Sequence, residues 1–169
     1  KGSYRDSFMN IRHSVFVCFI DFSKAFDYVN RNILFHKILF QGFEGKLINI
    51  LRDMYKKTSC HIKTCDGLSP LINDVVGVNQ GAILSPMLFR KYMSYLDTYL
   101  AKHCGVLINH DSDLIAHLLW ADDLILISNT VVGMEDLLQN LFKFCSKNMM
   151  IVNETKTKMM HFGSQPIYH

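Results

Sequence analysis

The sequence predicts an α+β domain in which an antiparallel sheet has helices packed on one face. Three observations point there. A short, unbroken apolar run, Val15 to Ile20, has the β-branched and aromatic content of a buried strand. Two later stretches carry hairpin punctuation, at Asp66-Gly67 and at Asp122-Asp123. Between and after these, several stretches space their apolar residues at helical intervals.

Taken in order, the elements read as follows. The first strand ends at Asp21. Asn30 to Phe40 is a helix through Ile33, Leu34 and Ile38, and Glu44 to Lys57 a second through Leu47, Ile50, Leu51 and Met54, with Gly42 and Gly45 breaking them apart. Ser59 to Val76 forms two strands around Asp66-Gly67. Ser85 is the expected N-cap of a third helix, with Pro86 at its first position, running to about Lys102. Gly105 to Leu119 and Leu124 to Ser128 are strands flanking the acidic turn. Met134 to Lys147 is an amphipathic helix with a face of Leu137, Leu138, Leu141, Phe142 and Cys145, and Lys156 to Phe162 returns as a short strand.

Composition narrows the classes. At 169 residues with 49% hydrophobic content, the chain is at most one domain and is not disordered. A net charge of +3 gives no strong basic field. No stretch has the length and freedom from charge for a membrane span, and the start does not read as a signal peptide, so an intracellular, non-secreted protein is expected. The five cysteines are scattered without a C-x-x-C pair. Cys18 reads as a small buried hydrophobe. Cys60-His61 with Cys65 lacks a second ligand pair for zinc.

The chemistry lies in the acids. Asp122 and Asp123 sit in the apolar run Leu118 to Ile127, which has no other charge. Burying carboxylates without partners is costly, and neighbouring ones repel. A tight turn between strands, its charge met by a bound cation, would reconcile the two; a surface hairpin with an acidic tip is the plain alternative. Asp21, at the end of a buried strand, would complete a three-carboxylate cluster of the kind that binds Mg²⁺ together with substrate phosphates. Two such ions activate an attacking hydroxyl and stabilise a leaving pyrophosphate.

Three blocks occur together in one order: Phe19-Ile20-Asp21-Phe22-Ser23-Lys24-Ala25-Phe26-Asp27, Gly77-Val78-Asn79-Gln80-Gly81-Ala82-Ile83-Leu84-Ser85-Pro86-Met87-Leu88-Phe89, and Trp120-Ala121-Asp122-Asp123. They resemble motifs A, B and C of a reverse transcriptase, most fully those of non-LTR (LINE-type) retrotransposons. Met150 to Gly163 resembles the motif D region that follows. The resemblance runs from about His13 to Gly163.

That resemblance implies a polymerase palm with part of the fingers, a single partial domain over 1–169, the thumb, most of the fingers and an endonuclease domain belonging to the rest of a parent polyprotein. It implies RNA-directed DNA polymerase chemistry, with two Mg²⁺ ions (or Mn²⁺) and an RNA template, DNA primer and dNTPs as partners, in cytoplasm and nucleus. Asp21, Asp122 and Asp123 would be the catalytic metal ligands, assisted by the Phe22 carbonyl. Phe26 would be the gate against a 2′-hydroxyl, Gln80 and Gly81 would lie against the nucleotide, and Lys24 would approach the triphosphate. Lys156 matches a proton donor to pyrophosphate, and Trp120 and Ala121 would contact the primer. Asp27 reads instead as a helix-initiating or local hydrogen-bonding acid. Two departures stand out: Asn79 occupies the usual place of an Arg, and Trp120 that of a Tyr or Phe. The chain alone is expected to be inactive. The rival reading is a silent retrotransposon remnant with at most weak nucleic-acid binding.

Overall fold

The computed structural model describes residues 14–56, 59–65, 67–73, 76–100, 104–107 and 114–163. The chain divides into two compact units, one formed by residues 1–23, 95–147 and 151–169, the other by residues 24–94 and 148–150.

The first unit is built on a four-stranded antiparallel sheet. β1 (Val15–Ile20) lies between β9 (Asp123–Ser128) and β10 (Lys158–Phe162), and β8 (His117–Trp120) pairs with the far side of β9. β1 alternates strictly: Phe16, Cys18 and Ile20 are buried, whereas Phe19 is exposed. β9 matches it, with Leu124, Leu126 and Ser128 turned inward. Helix α4 (Val131–Lys147) packs on β9 and buries Met134, Leu137, Leu141, Phe144 and Cys145. Thr130 caps it, its hydroxyl accepting from the Gly133 amide at 3.0 Å.

The expected face of α4 is corrected at one position: Phe142 is half exposed, and Phe144 is the buried aromatic. Leu137, Leu141, Phe144 and Cys145 fall on one stripe at i, i+4, i+7 and i+8, and Phe142 lies a quarter turn away. Burial pushes the Cys145 thiol up to about 12 and raises that of Cys18, so both act as small hydrophobes. The expected strand from Gly105 to Leu119 is broken into β6 (Val106–Leu107), β7 (Leu114–Ile115) and β8, the first two pairing with each other.

The second unit holds helices α1 (Arg31–Phe40), α2 (Gly45–Lys56) and α3 (Ser85–Met93), with α1 packed on both of the others. Asn30 caps α1 through its side-chain oxygen, which accepts from the amides of Asn32 and Ile33. Arg31 is the tie within this unit. Its buried guanidinium donates to the carbonyls of Gly77, Tyr55 and Val76 at 2.8, 3.2 and 3.1 Å, and lies 4.8 Å from the centre of the Tyr55 ring. This explains the second correction. α2 carries two apolar stripes at helical spacing, Leu47-Ile50-Met54 and Ile48-Leu51-Tyr55, and the second is buried. The bonds from Arg31 turn Tyr55, and with it that stripe, inward.

Between α2 and α3 an interrupted hairpin pairs β2 (Ser59–Cys60) with β5 (Ile72–Asn73) and β3 (Lys63–Thr64) with β4 (Gly67–Leu68); Asp66 lies outside the described residues. His61 and Cys65 do not converge on a metal: His61 Nδ1 lies 2.7 Å from the Ser69 carbonyl and Cys65 is exposed. α3 is shorter than its apolar pattern suggests. A separate 3₁₀ turn follows at Leu96–Thr98, and residues 101–103 lie outside the described residues. Ser85 is the first helical residue rather than the cap, its hydroxyl donating backwards to the Asn79 carbonyl at 2.6 Å.

Gly77 has φ +84°, and a Cβ there would stand 2.7 Å from the Asp27 carbonyl oxygen; Gly81 has φ +82° but open space around it. Gly81→Ala is expected to cost about 1 kcal/mol from φ alone. Gly77→Ala adds a clash with backbone and should cost roughly 2–4 kcal/mol. Urea midpoints of the two variants measure the difference, and equal losses would contradict the clash.

Candidate functional site

In the first unit, β1 and β9 run antiparallel with Ile20 opposite Leu124, so the next rung outward sets Asp21 beside Asp123. Alternation carries both residues away from the face covered by α4, since Ile20 and Leu124 are the inward pair. Trp120 pairs with Asp123 across the β8–β9 turn, leaving Ala121 and Asp122 as its two central residues. Ala121 has φ +52°, and Asp122 is not among the described non-glycine residues with positive φ, which is the sign pattern of a type II′ turn. An alanine in the left-handed region costs roughly 1 kcal/mol, so this turn stores strain at the acids.

Beyond Asp21 the strand is continued by irregular pairing with residues 151–153. The Asn153 amide donates to the Asp21 carbonyl at 2.7 Å and the Ser23 amide to the Ile151 carbonyl at 2.8 Å. Phe22 faces Val152 as an isolated bridge whose own carbonyl takes neither of these bonds. The Asp21 amide donates to Thr157 Oγ1 at 3.3 Å. This zip brings Lys156 to the acids: its Nζ stands 3.9 Å from Asp21 Oδ2, with both side chains well solvated. At that exposure the ion pair is worth little to stability.

Asp21 and Asp122 are partly exposed and Asp123 is exposed, because they stand at strand ends and a turn tip, where water solvates charge. Among the described residues, the carboxylates of Asp122 and Asp123 accept no hydrogen bond and meet no basic group, and no three His, Cys, Asp or Glu side chains close into a metal cage. Carboxylates with room for water suit Mg²⁺, which takes one or two carboxylates and keeps several waters.

Trp120 is 84% exposed at the turn beside the acids, an open aromatic surface.

In the second unit, residues 24–28 lie in a turn, with Lys24 at φ +45° and exposed. The Phe26 ring is half-buried and stacks on Phe89 of α3, centroids 4.7 Å apart. The Val78 amide donates to the Phe26 carbonyl at 2.9 Å and the Gly77 amide to that of Val29 at 2.8 Å. These two bonds lace the Phe26–Val29 segment to the one preceding Gln80 and Gly81. Gln80 is exposed, with Nε2 3.4 Å from Asp27 Oδ1. Asp27 is thus a local hydrogen-bonding acid, and Asn30 rather than Asp27 starts α1. Gly81 answers a need for positive φ; close approach to other backbone is the role of Gly77, which sequence reasoning did not single out. Asn153, Thr157 and Arg31 were also missed, because their roles rest on backbone contacts distant in sequence.

The sequence profile of the reverse transcriptase (RNA-dependent DNA polymerase) family matches residues 3–168. The chain belongs to the reverse transcriptase family. This reverse transcriptase chain is 26% identical over 121 residues to the retrovirus-related Pol polyprotein from type-1 retrotransposable element R2 of Nasonia vitripennis, a match covering 72% of this chain and 12% of that protein. It is 26% identical over 153 residues to that from type-2 retrotransposable element R2DM of Drosophila melanogaster, covering 90% and 14%. Its fold is similar to telomerase from Candida tropicalis in complex with a TWJ fragment of telomeric RNA, at TM-score 0.69 and 17% identity over 95% of this chain and 28% of that one. Telomerase from Candida albicans matches at TM-score 0.62 and 17% identity over 98% and 29%. The α+β antiparallel fold and the family expected from the motifs are thereby established. Among the described residues, no helix is long and apolar enough to cross a membrane.

Truncating Phe26 removes half a stacked pair. Phe26→Ala should cost roughly 1–3 kcal/mol, less than a fully buried Phe→Ala change. Chemical denaturation measures it; a loss below about 0.5 kcal/mol would mean that the Phe89 contact carries no weight.

Proposed function

We propose that this chain carries the catalytic acids of an RNA-directed DNA polymerase, a reverse transcriptase of a non-LTR retrotransposon that adds dNTPs to a primer 3′-hydroxyl. The observation carrying this reading is the β1–β9 register, which sets Asp21 next to Asp123 beside the Asp122 turn. Asp21 and Asp122 are the main metal ligands, with Asp123 and the Phe22 carbonyl assisting. Bound there, two Mg²⁺ ions (or Mn²⁺) would activate the attacking hydroxyl and neutralise the leaving pyrophosphate.

The other residues orient and select. Lys156, already beside Asp21, is a proton source for the departing pyrophosphate. Phe26, stiffened by Phe89, excludes a ribose 2′-hydroxyl by bulk. Gln80 and Gly81 bear on the nucleotide, Lys24 on the triphosphate, and Trp120 with Ala121 on the primer end. The partners are an RNA template, a DNA primer, dNTPs and further regions of a parent polyprotein, in cytoplasm and nucleus.

Trp120 is the only tryptophan of the chain and stands beside the acids, so it reports on a bound lanthanide. Excitation of Trp120 should sensitise Tb³⁺ emission that Mg²⁺ displaces, and Asp122→Asn should weaken Tb³⁺ binding roughly tenfold or more. Tb³⁺ emission unchanged in Asp21→Asn, Asp122→Asn and Asp123→Asn alike would sink the metal site. In an active polymerase bearing this sequence, Phe26→Val should lower the dNTP over rNTP ratio of kcat/KM at least about tenfold. An unchanged ratio would make Phe26 a core residue only.

A further inference from the structure

A groove of about 620 Å³ in the second unit lies between α1 and α2, and none of the residues assigned to catalysis lines it. Its basic lining is Arg31, Arg52 and Lys56, against one acid, Asp53, so the charge facing the groove is +2 by count, 3 − 1. Asn32 and Asn49 add amide side chains. On α2, Asn49, Arg52 and Lys56 are spaced i, i+3 and i+7, which aligns them along one face.

The cations differ in availability. Arg31 is spent on three backbone carbonyls. Arg52 is held by packing, its guanidinium 5.7 Å from the centre of the Phe35 ring, and among the described residues it makes no hydrogen bond or ion pair. A planar fork of N–H donors, pre-oriented on an aromatic face and left without a partner, suits a phosphate group. Lys56, one turn further along α2, likewise has no described acidic partner and adds a point charge.

The rings say what part of a ligand fits. Phe35 and Tyr55 are buried, and each has a guanidinium over a face, so neither offers a free surface for stacking a base. A groove with cations and amides but no open ring reads phosphate and sugar rather than base.

We propose that the α1–α2 groove is a sequence-independent contact for the sugar–phosphate backbone of a single nucleic-acid strand, with Arg52 and Lys56 as its phosphate ligands. It is separate from the metal acids: a chain whose acids bind no metal would still hold a strand here.

The test is fluorescence anisotropy of a labelled single-stranded RNA oligonucleotide with the full chain, across a KCl series. The Arg52→Gln/Lys56→Gln double variant is compared with Lys63→Gln/Lys143→Gln, which removes the same charge from exposed positions elsewhere. Losing two phosphate contacts should lower affinity roughly tenfold near 0.1 M salt and flatten the log–log salt slope by about 1.4. The control pair should do neither, thermal unfolding of the groove variant should stay within about 2 °C of the parent, and randomising the oligonucleotide sequence should change nothing. Equal losses in both variants would overturn the proposal in favour of diffuse charge. A groove variant that binds RNA normally but loses binding to phosphatidylserine vesicles or to inorganic pyrophosphate would overturn it in favour of those ligands. Because Tb³⁺ binding at Asp122 is read separately, failure here leaves the metal-site reading standing.

Discussion

The antiparallel register of β1 on β9 is the constraint on which the site depends. With Ile20 opposite Leu124, Asp21 and Asp123 occupy the next rung and point away from α4. Because side chains alternate with a period of two, a one-residue slip would send Asp21 to the helix-covered face and expose Ile20. The slip is opposed by the whole buried set of Phe16, Cys18, Ile20, Leu124 and Leu126, at about 1.5–3 kcal/mol for each large apolar side chain withdrawn from water. The core of the unit therefore sets the geometry of its acids.

Around that register, three local devices hold the charges in place. The tight β8–β9 turn sets Asp122 at its tip, at the cost of an alanine with positive φ. The 151–153 segment extends the pairing past the end of β1 and delivers Lys156 to Asp21. Solvent exposure removes the desolvation penalty that buried carboxylates would suffer, so the acids persist without a closed cage of ligands. A cation arriving there displaces water and a weakly held ammonium, a small cost against the attraction of adjacent carboxylates. In the other unit the logic is mechanical. Arg31, Gly77 and two backbone bonds lace the segment that carries Phe26 to the loop that carries Gln80 and Gly81.

Much of this was legible in sequence because it is local. The run from Val15 to Ile20 contains nothing but residues suited to a buried strand, and the paired acids inside an apolar stretch mark a hairpin tip. α1 begins one residue from where its pattern begins. What sequence misjudged depended on choices between equivalent patterns. The two stripes of α2 have the same spacing, and the one that is buried carries Tyr55, which Arg31 of α1 holds through its carbonyl and its ring. Phe142 and Phe144 are equally apolar, and a rotation of the helix separates them. The exposure of Asp122 and Asp123 goes with their place at the hairpin tip, whereas Leu124 and Leu126 face inward on alternate positions of β9. Asn153 and Thr157 look like turn residues, and their grip on Asp21 spans more than a hundred positions.

The central claim is that Asp21 and the Asp122–Asp123 turn form one shared site for divalent cations. Paramagnetic broadening by Mn²⁺ in the amide spectrum of ¹⁵N-labelled chain tests it most directly. At substoichiometric Mn²⁺, the Asp21 and Phe22 amides should fade in step with those of Asp122 and Asp123, and Mg²⁺ should restore both sets together. Broadening confined to Asp122 and Asp123, with Asp21 and Phe22 still sharp, would contradict the shared site.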